Sequence, residues 1–184
     1  MIQIKRVDRD EEIVGIKDLQ MRNHKSILSK EEMASQGFVT AEYSIDFLKR
    51  MNEAEPSVIA VDSIGKVVGY AIASPKSIQG QHSFLDELFA AADELQIAGN
   101  AVQALNYILV GQLCVAKSHR GQGLVTEMYN FFRKDLSPFY DCVITDVDLE
   151  NPRSLKAHLN AGYQILATKT YGGLSWNVVF QDWR

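Results

Sequence analysis

The stretch Asn106–Phe132, "NYILVGQLCVAKSHRGQGLVTEMYNFF", decides the fold. It begins as an apolar run of strand type, "NYILVGQLCVA". Gly111 interrupts that run, and a glycine inside a strand signals a bulge or the close approach of another backbone. Arg120 then stands beside Gly121 and Gly123, and helical spacing starts at once. Leu124, Met128, Phe131 or Phe132, and Leu136 share one face, and Pro138 closes the helix.

A positive charge and two unrestricted backbones at the mouth of a helix suit an anion. The first amides of a helix have no intrahelical partner, and the helix dipole adds positive potential there. Glycine lets a phosphate approach those amides closely. Arg120 can add a charge-assisted contact. Gly121, Gln122, Gly123 and Leu124 are therefore candidates to hold a phosphate or pyrophosphate. An ordinary tight strand-to-helix turn would account for the same residues. The stretch is not a Walker loop, which needs GxxxxGK[ST]. Nor is it a dinucleotide fingerprint, because Thr126 stands where a third glycine is needed.

Working outward, "IQIKRV" alternates over Ile2 to Val7 and predicts a first strand. Asp8 with Glu11 resembles a capping box. The helix after it carries Ile13, Ile16 and Leu19 or Gln20 and runs to about His24. Ser29 with Glu32 repeats the capping pattern, and Gly37 stops a short second helix. Ser44 caps a third, with Ile45, Leu48 and Met51 on one face. "SVIAVDSIGKVVGYAIAS" predicts a β-hairpin with strands near 57–62 and 66–74, ended by Pro75.

Residues 77–105 read as a helical insertion, with Phe84, Leu88, Ala91 or Ala92 and Leu95 at helical spacing and Gly99 at its end. It is not needed to build a sheet. A lid, a substrate wall and a homodimer contact are its candidate roles. "DCVITDV" predicts the next strand. Asn151-Pro152 opens a short helix ended by Gly162. Two strands, roughly 163–171 and 174–181, join at Gly172-Gly173. The strand–helix–strand crossover over 107–147 should be parallel and right-handed.

Composition narrows the class of protein. The chain has 184 residues, 46% hydrophobic and 23% charged, which suits one globular domain. A net charge of -4 lacks the electrostatic footprint of a general nucleic-acid binder. The two cysteines, Cys114 and Cys142, lie in apolar runs and read as buried thiols. No CxxC or HExxH pattern occurs and the four histidines are scattered, so no metal site is expected. The opening "MIQIKRVDRDEE" does not read as a signal peptide, and no apolar run is long enough to span a bilayer. A cytoplasmic protein with no membrane partner is the expectation.

With these motifs in place, "LCVAKSHRGQGLVTEMYNFF" resembles the acetyl-CoA-binding motif of the GNAT superfamily of N-acetyltransferases. That motif is an Arg or Gln, two residues, Gly, one residue, then Gly or Ala. Arg120 and Gly123 match, and Val125 takes the place of the small residue. "DVDLENPRSLKAHLNAGY" is similar to the family's following strand and helix, with Asp146, Val147, Asn151, Ser154, Gly162 and Tyr163 in register. The similarity is strong over 107–163 and topological before that.

The resemblance implies an α/β (α+β) single domain: a mixed, mostly antiparallel sheet with a splayed parallel pair and flanking helices. It implies transfer of an acetyl group from acetyl-CoA to a primary amine of a small molecule or peptide by direct attack. The backbone of Leu113, Cys114 and Val115 would pair with pantetheine like an added strand, with an amide near Val115 stabilising the oxyanion. Arg120, Gly121, Gln122, Gly123, Leu124, Val125, Asn151 and Ser154 complete the expected cofactor site. His158 stands where the family often has a Tyr, so it is the expected proton donor to the leaving thiolate and a further cofactor contact. Asp146 is the candidate base. Glu42 and Tyr43 are further candidates for the substrate side, and Asp146, Asp148, Glu150 and Glu42 could make an acidic receiving pocket that suits a cationic amine. The same motifs leave a non-catalytic acyl-CoA-binding or sensing module as the alternative, and a nucleotide-binding α/β protein as a more distant one.

Overall fold

The computed structural model describes all 184 residues. The chain begins with β1 (Gln3–Arg6), then helices α1 (Asp10–Asn23), α2 (Lys30–Gln36) and α3 (Ile45–Ala54). A hairpin follows, β2 (Val58–Val61) and β3 (Val67–Ser74). Helix α4 (Ser83–Asp93) and a small hairpin, β4 (Gln96–Ile97) and β5 (Asn100–Ala101), precede β6 (Tyr107–Val115). The rest is α5 (Leu124–Leu136), β7 (Cys142–Asp148), α6 (Pro152–Asn160), β8 (Gln164–Tyr171) and β9 (Leu174–Asp182).

Seven strands form one sheet in the order β1-β2-β3-β6-β7-β9-β8. Every neighbouring pair is antiparallel except β6 and β7, the parallel pair expected from the crossover. Both faces of the sheet are covered. On one side α1, α3 and α4 pack over Tyr70, Ile72, Leu109 and Ile144. On the other, α5 inserts Leu124, Met128, Tyr129, Phe132 and Leu136 against Val58, Ala71, Val110 and Val143. Each of those five side chains contributes about 1.5–3 kcal/mol by leaving water, so α5 is held by packing and its mouth has a fixed place.

The parallel pairing is short. It covers only Tyr107–Cys142, Ile108–Val143 and Leu109–Ile144. Beyond it the strands part, and the Thr145 hydroxyl donates to the Val110 carbonyl at 2.7 Å at the point of divergence. Gly111 lies there. The β3–β6 register slips between Ala71 and Ala73, opposite Val110 to Leu113, so the strand glycine marks a bulge as expected. A Cβ on Gly111 would come within 2.6 Å of Ser74 Oγ, so any side chain there would force Ser74 to move. The bulge bends β6 away from β7 and leaves the β7-facing edge of its second half without a strand partner.

Local details depart from the pattern at three places. The box at α1 is one residue later than Asp8 and Glu11: Glu12 Oε2 accepts from the Asp8 and Arg9 amides. Glu12 is buried with Lys5 and Arg9 on its other oxygen. Burial pushes its carboxyl up, but these hydrogen bonds outweigh that and hold it at about 2. On α3, Phe47 rather than Ile45 joins Leu48 and Met51 in the core, because Ile45 sits in the first turn and points outward. Helix α4 ends at Asp93, before Leu95 and Gly99. Leu85 and Phe89 lie in its core face, and Gly99, at positive φ, turns the β4–β5 hairpin instead of capping the helix.

Candidate functional site

The mouth of α5 is built as the sequence suggests. Gly123 is the N-cap in left-handed conformation, φ +81°, and Gly121 has φ +76°. A Cβ at either would meet nothing within 4 Å, so the space in front of them is open. None of the amides from Gly121 to Thr126 finds an acceptor within the protein. Six free donors at a helix N-terminus, behind two glycines, face open space, an arrangement that suits an anion.

This helix mouth lies in a groove of about 730 Å³. Leu113, Cys114 and Val115 line it on the open edge of β6, and Gly121, Gly123, Leu124 and Val125 line its end at the mouth of α5. Asn151 and Ser154 line the wall opposite. Gln122 contributes only its backbone, since its side chain turns outward to donate to the Ser118 carbonyl. Val125, larger than the expected small residue, leaves these amides free and forms part of the wall.

Arg120 borders the groove and is held by three parts of the chain. Its Nε donates to the Val115 carbonyl at 2.9 Å, Nη1 to the Gln36 carbonyl at 2.7 Å and Nη2 to Asn23 Oδ1 at 2.7 Å. The guanidinium borders the groove but spends these donors on the ends of β6, α2 and α1. Desolvation lowers its pKa. These bonds clamp the groove's walls together. Asn151 acts similarly: Oδ1 caps α6 at the Ser154 amide and Nδ2 donates to the Phe38 carbonyl at 2.9 Å.

Groove residues that the motifs did not single out include Phe38, Val39, Thr126, Arg153 and Lys156. Arg153, Lys156, Ala157 and Asn160 stand at i, i+3, i+4 and i+7 of α6, a one-face spacing that the sequence does contain. Phe38 and Val39 carry no such signal, because their loop reaches the groove only through the fold.

A second cavity, of about 50 Å³, adjoins the groove at the strand divergence. Phe38, Val39, Leu113, Asn151 and Ser154 line both. Gly111, Gln112, Thr145, Asp146, Asp148 and His158 line the small cavity alone, with Phe84 and Trp176 as its ring wall. Phe84, on the apolar face of α4, meets Trp176 edge-to-face at 5.3 Å.

Asp146 sits in this cavity with the Tyr171 hydroxyl donating to its carboxylate at 2.6 Å. Burial raises its pKa to about 6; the Tyr171 hydrogen bond opposes the rise and Asp148 adds to it. The other expected acids part company. Asp148 lines the cavity, whereas Glu42 is exposed and paired with Lys17 at 2.9 Å, and Glu150 lies outside. Tyr43 is fully buried, its hydroxyl donating to the Gly111 carbonyl at 2.9 Å, so it props the bulge.

His158 lines the small cavity and not the groove. It is 2% exposed. Its Nδ1 is 2.8 Å from the Ser154 carbonyl, which can only accept, so Nδ1 carries the proton. Nε2 then accepts from the Tyr129 hydroxyl at 2.8 Å. Burial pushes the imidazole down to about 4, and it is neutral at physiological pH.

The sheet opens at its parallel pair, and the helix between the two strands presents free amides to the groove along the open strand edge. The chain belongs to the acetyltransferase (GNAT) family, whose model matches residues 14–163. It is thus an acyltransferase. Solved structures share the fold. A GNAT-family acetyltransferase from Streptococcus agalactiae aligns with TM-score 0.67 at 16% identity, over 98% of this chain and 95% of that one. A chain of the NatC complex bound to Gag peptide and CoA gives 0.66 at 16%, over 98% of each. A phosphinothricin acetyltransferase from Sinorhizobium meliloti, in complex with acetyl-CoA, gives 0.62 at 15%, over 98% and 88%. No curated protein matches the sequence. No helix is long and apolar enough to cross a membrane.

Proposed function

We propose that this protein is an N-acetyltransferase that moves the acetyl group of acetyl-CoA to a primary amine by direct attack. The observation that carries the reading is the continuity of the two cavities. The anion seat at one end of the groove leads along the open edge of β6 to the small cavity that holds Asp146. The S. meliloti enzyme, similar in fold, binds acetyl-CoA.

In this reading the amides of Gly121 to Thr126 take the pyrophosphate, and the backbone of Leu113 to Val115 takes the pantetheine arm as an added strand. The bound thioester supplies an activated acyl carbon. The amine approaches from the Asp146 side, its nitrogen forms the C–N bond, and the C–S bond breaks with release of the thiolate. An amine is protonated in water and must lose a proton to react. Asp146, with its pKa brought to about 6, is largely ionised at neutral pH and accepts that proton directly or through one water. A carboxylate tuned upward is a stronger base than an ordinary aspartate and still carries its charge at pH 7.

His158 enters the mechanism as a neutral ring. To protonate a thiolate it would have to break with the Ser154 carbonyl or exchange the Tyr129 proton, and its pKa of about 4 keeps no proton in reserve as imidazolium. Its part is to fix the wall of α6 against α5 beside the reacting atoms, and the thiolate takes its proton from solvent. The test is thiol release from acetyl-CoA with a panel of polyamines, aminoglycosides, amino acids and peptide N-termini. Binding of acetyl-CoA with no release for any amine would leave the non-catalytic acyl-CoA-binding module as the better description.

A further inference from the structure

The small cavity also constrains which amine can enter it. We propose that the acceptor is an unbranched primary ammonium with no carboxylate beside the amine: a linear aliphatic or arylalkyl amine. This rests on the acetyl-transfer reading of the same site.

Three observations support it. First, the lining contains Asp146 and Asp148 and no Lys or Arg, and its one histidine, His158, has both ring nitrogens engaged within the protein. Every full charge in the wall is negative. An incoming ammonium is attracted, while an α-carboxylate on the same molecule would meet two carboxylates with no counter-ion. Second, the cavity meets the groove at Phe38, Val39, Leu113, Asn151 and Ser154, so an amine that reaches Asp146 passes between these side chains. An ammonium on an unbranched methylene has the slimmest profile for that approach, and a branched α-carbon carrying a carboxylate or a peptide group is bulkier there.

Third, the wall beside the acids is aromatic. Phe84 stands edge-on to Trp176 at 5.3 Å, and Trp176 stacks on Tyr171 at 5.6 Å, the residue that donates to Asp146. Phe38 lies at the junction of cavity and groove. Rings attract an ammonium through their faces and accept a methylene chain or a second ring by burial. Phe84 comes from α4, so the segment between the hairpin and β6 supplies part of the acceptor site.

The experiment compares matched amines with the intact protein and acetyl-CoA, reading thiol release. n-Butylamine is set against norvaline and against sec-butylamine, and tyramine against tyrosine. The expected result is a kcat/KM larger for each unbranched, carboxylate-free amine, on the order of 100-fold over its amino-acid partner. Asp148→Asn should narrow the gap between tyramine and tyrosine, and Phe84→Ala should narrow the gap between n-butylamine and sec-butylamine. Circular dichroism confirms that each variant is folded. Equal or better turnover of the amino acids overturns the inference while acetyl transfer stands. No turnover of any amine by a protein that binds acetyl-CoA overturns both.

Discussion

The Tyr171 hydroxyl donates to the Asp146 carboxylate at 2.6 Å, joining the tip of the β8–β9 hairpin to the strand that leaves the splay. Tyr171 pairs with Leu174 across a two-residue turn, Gly172-Gly173, in which both glycines have positive φ. The turn fixes the tyrosine, and the tyrosine stabilises the charged form of the acid. Tyr171→Phe removes that hydrogen bond. The Asp146 pKa should rise further, and the acid limb of the kcat/KM profile should move up from about pH 6 by roughly one unit. A pH–rate profile of the variant reads the shift; an unmoved limb would show that another group sets it.

Asp146 itself couples activity to stability with a definite sign. Its folded pKa lies above the usual carboxylate value, so the folded state binds the proton more tightly. Stability therefore falls as pH rises through 4 to 6, and the full cost is present at pH 7. Asp146→Asn should lower kcat by 100-fold or more, estimated as about the lower range for loss of a general base. It should also stabilise the protein at pH 7 by about 2 kcal/mol, with little gain near pH 4. Thermal melts at the two pH values check this.

His158 has the opposite linkage. Its folded pKa is depressed to about 4 from 6.5, so the unfolded chain takes up the proton first. The protein should lose on the order of 3 kcal/mol as pH falls from 6.5 to 4 on this account. His158→Gln, which cannot charge, should flatten that part of the urea-stability curve. The pH profile of kcat/KM near neutrality should keep its shape, because the ring is neutral there in the parent protein.

At the mouth of α5, Gly123→Glu puts a side chain in a left-handed backbone position and a carboxylate before the free amides. CoA binding by calorimetry should disappear while the far-ultraviolet circular dichroism keeps its form. A folded variant that binds CoA normally would falsify the placement of the pyrophosphate.

Arg120→Ala tests the clamp. Removing donors to Val115, Gln36 and Asn23 should lower the ligand-free stability by about 2–3 kcal/mol. CoA affinity should fall less steeply than it does for Gly123→Glu. A variant with unchanged melting temperature and lost CoA binding would instead make Arg120 a direct phosphate contact.

The chain's own letters went far where physics is local. The left-handed turns at Gly121 and Gly123, the apolar face of α5 and the Asn151 cap of α6 each depend on neighbours within a few residues. So the turn, the parallel crossover and the bulge at Gly111 were all legible. The one-residue error at α1 came from the same locality: Asp8 and Glu11 fit a capping pattern, but burial of Glu12 beside Lys5 decided the register. Helical spacing put Phe84 on the apolar face of α4 but does not say which neighbour a partly buried ring will meet.

The tertiary structure alone decided the chemistry at the two ends of the groove. The partners of Arg120, Gln36 and Asn23, lie 84 and 97 residues away, where no local pattern can point to them. Among Glu42, Asp146, Asp148 and Glu150, only the fold selects the two that face the cavity. Composition fixes how many acids there are; burial and the hydroxyl of Tyr171, 25 residues from Asp146, fix which one is tuned. Backbone conformation is set by nearest neighbours and is written in the sequence. Solvation and charge environment are set by whatever the folded chain brings alongside.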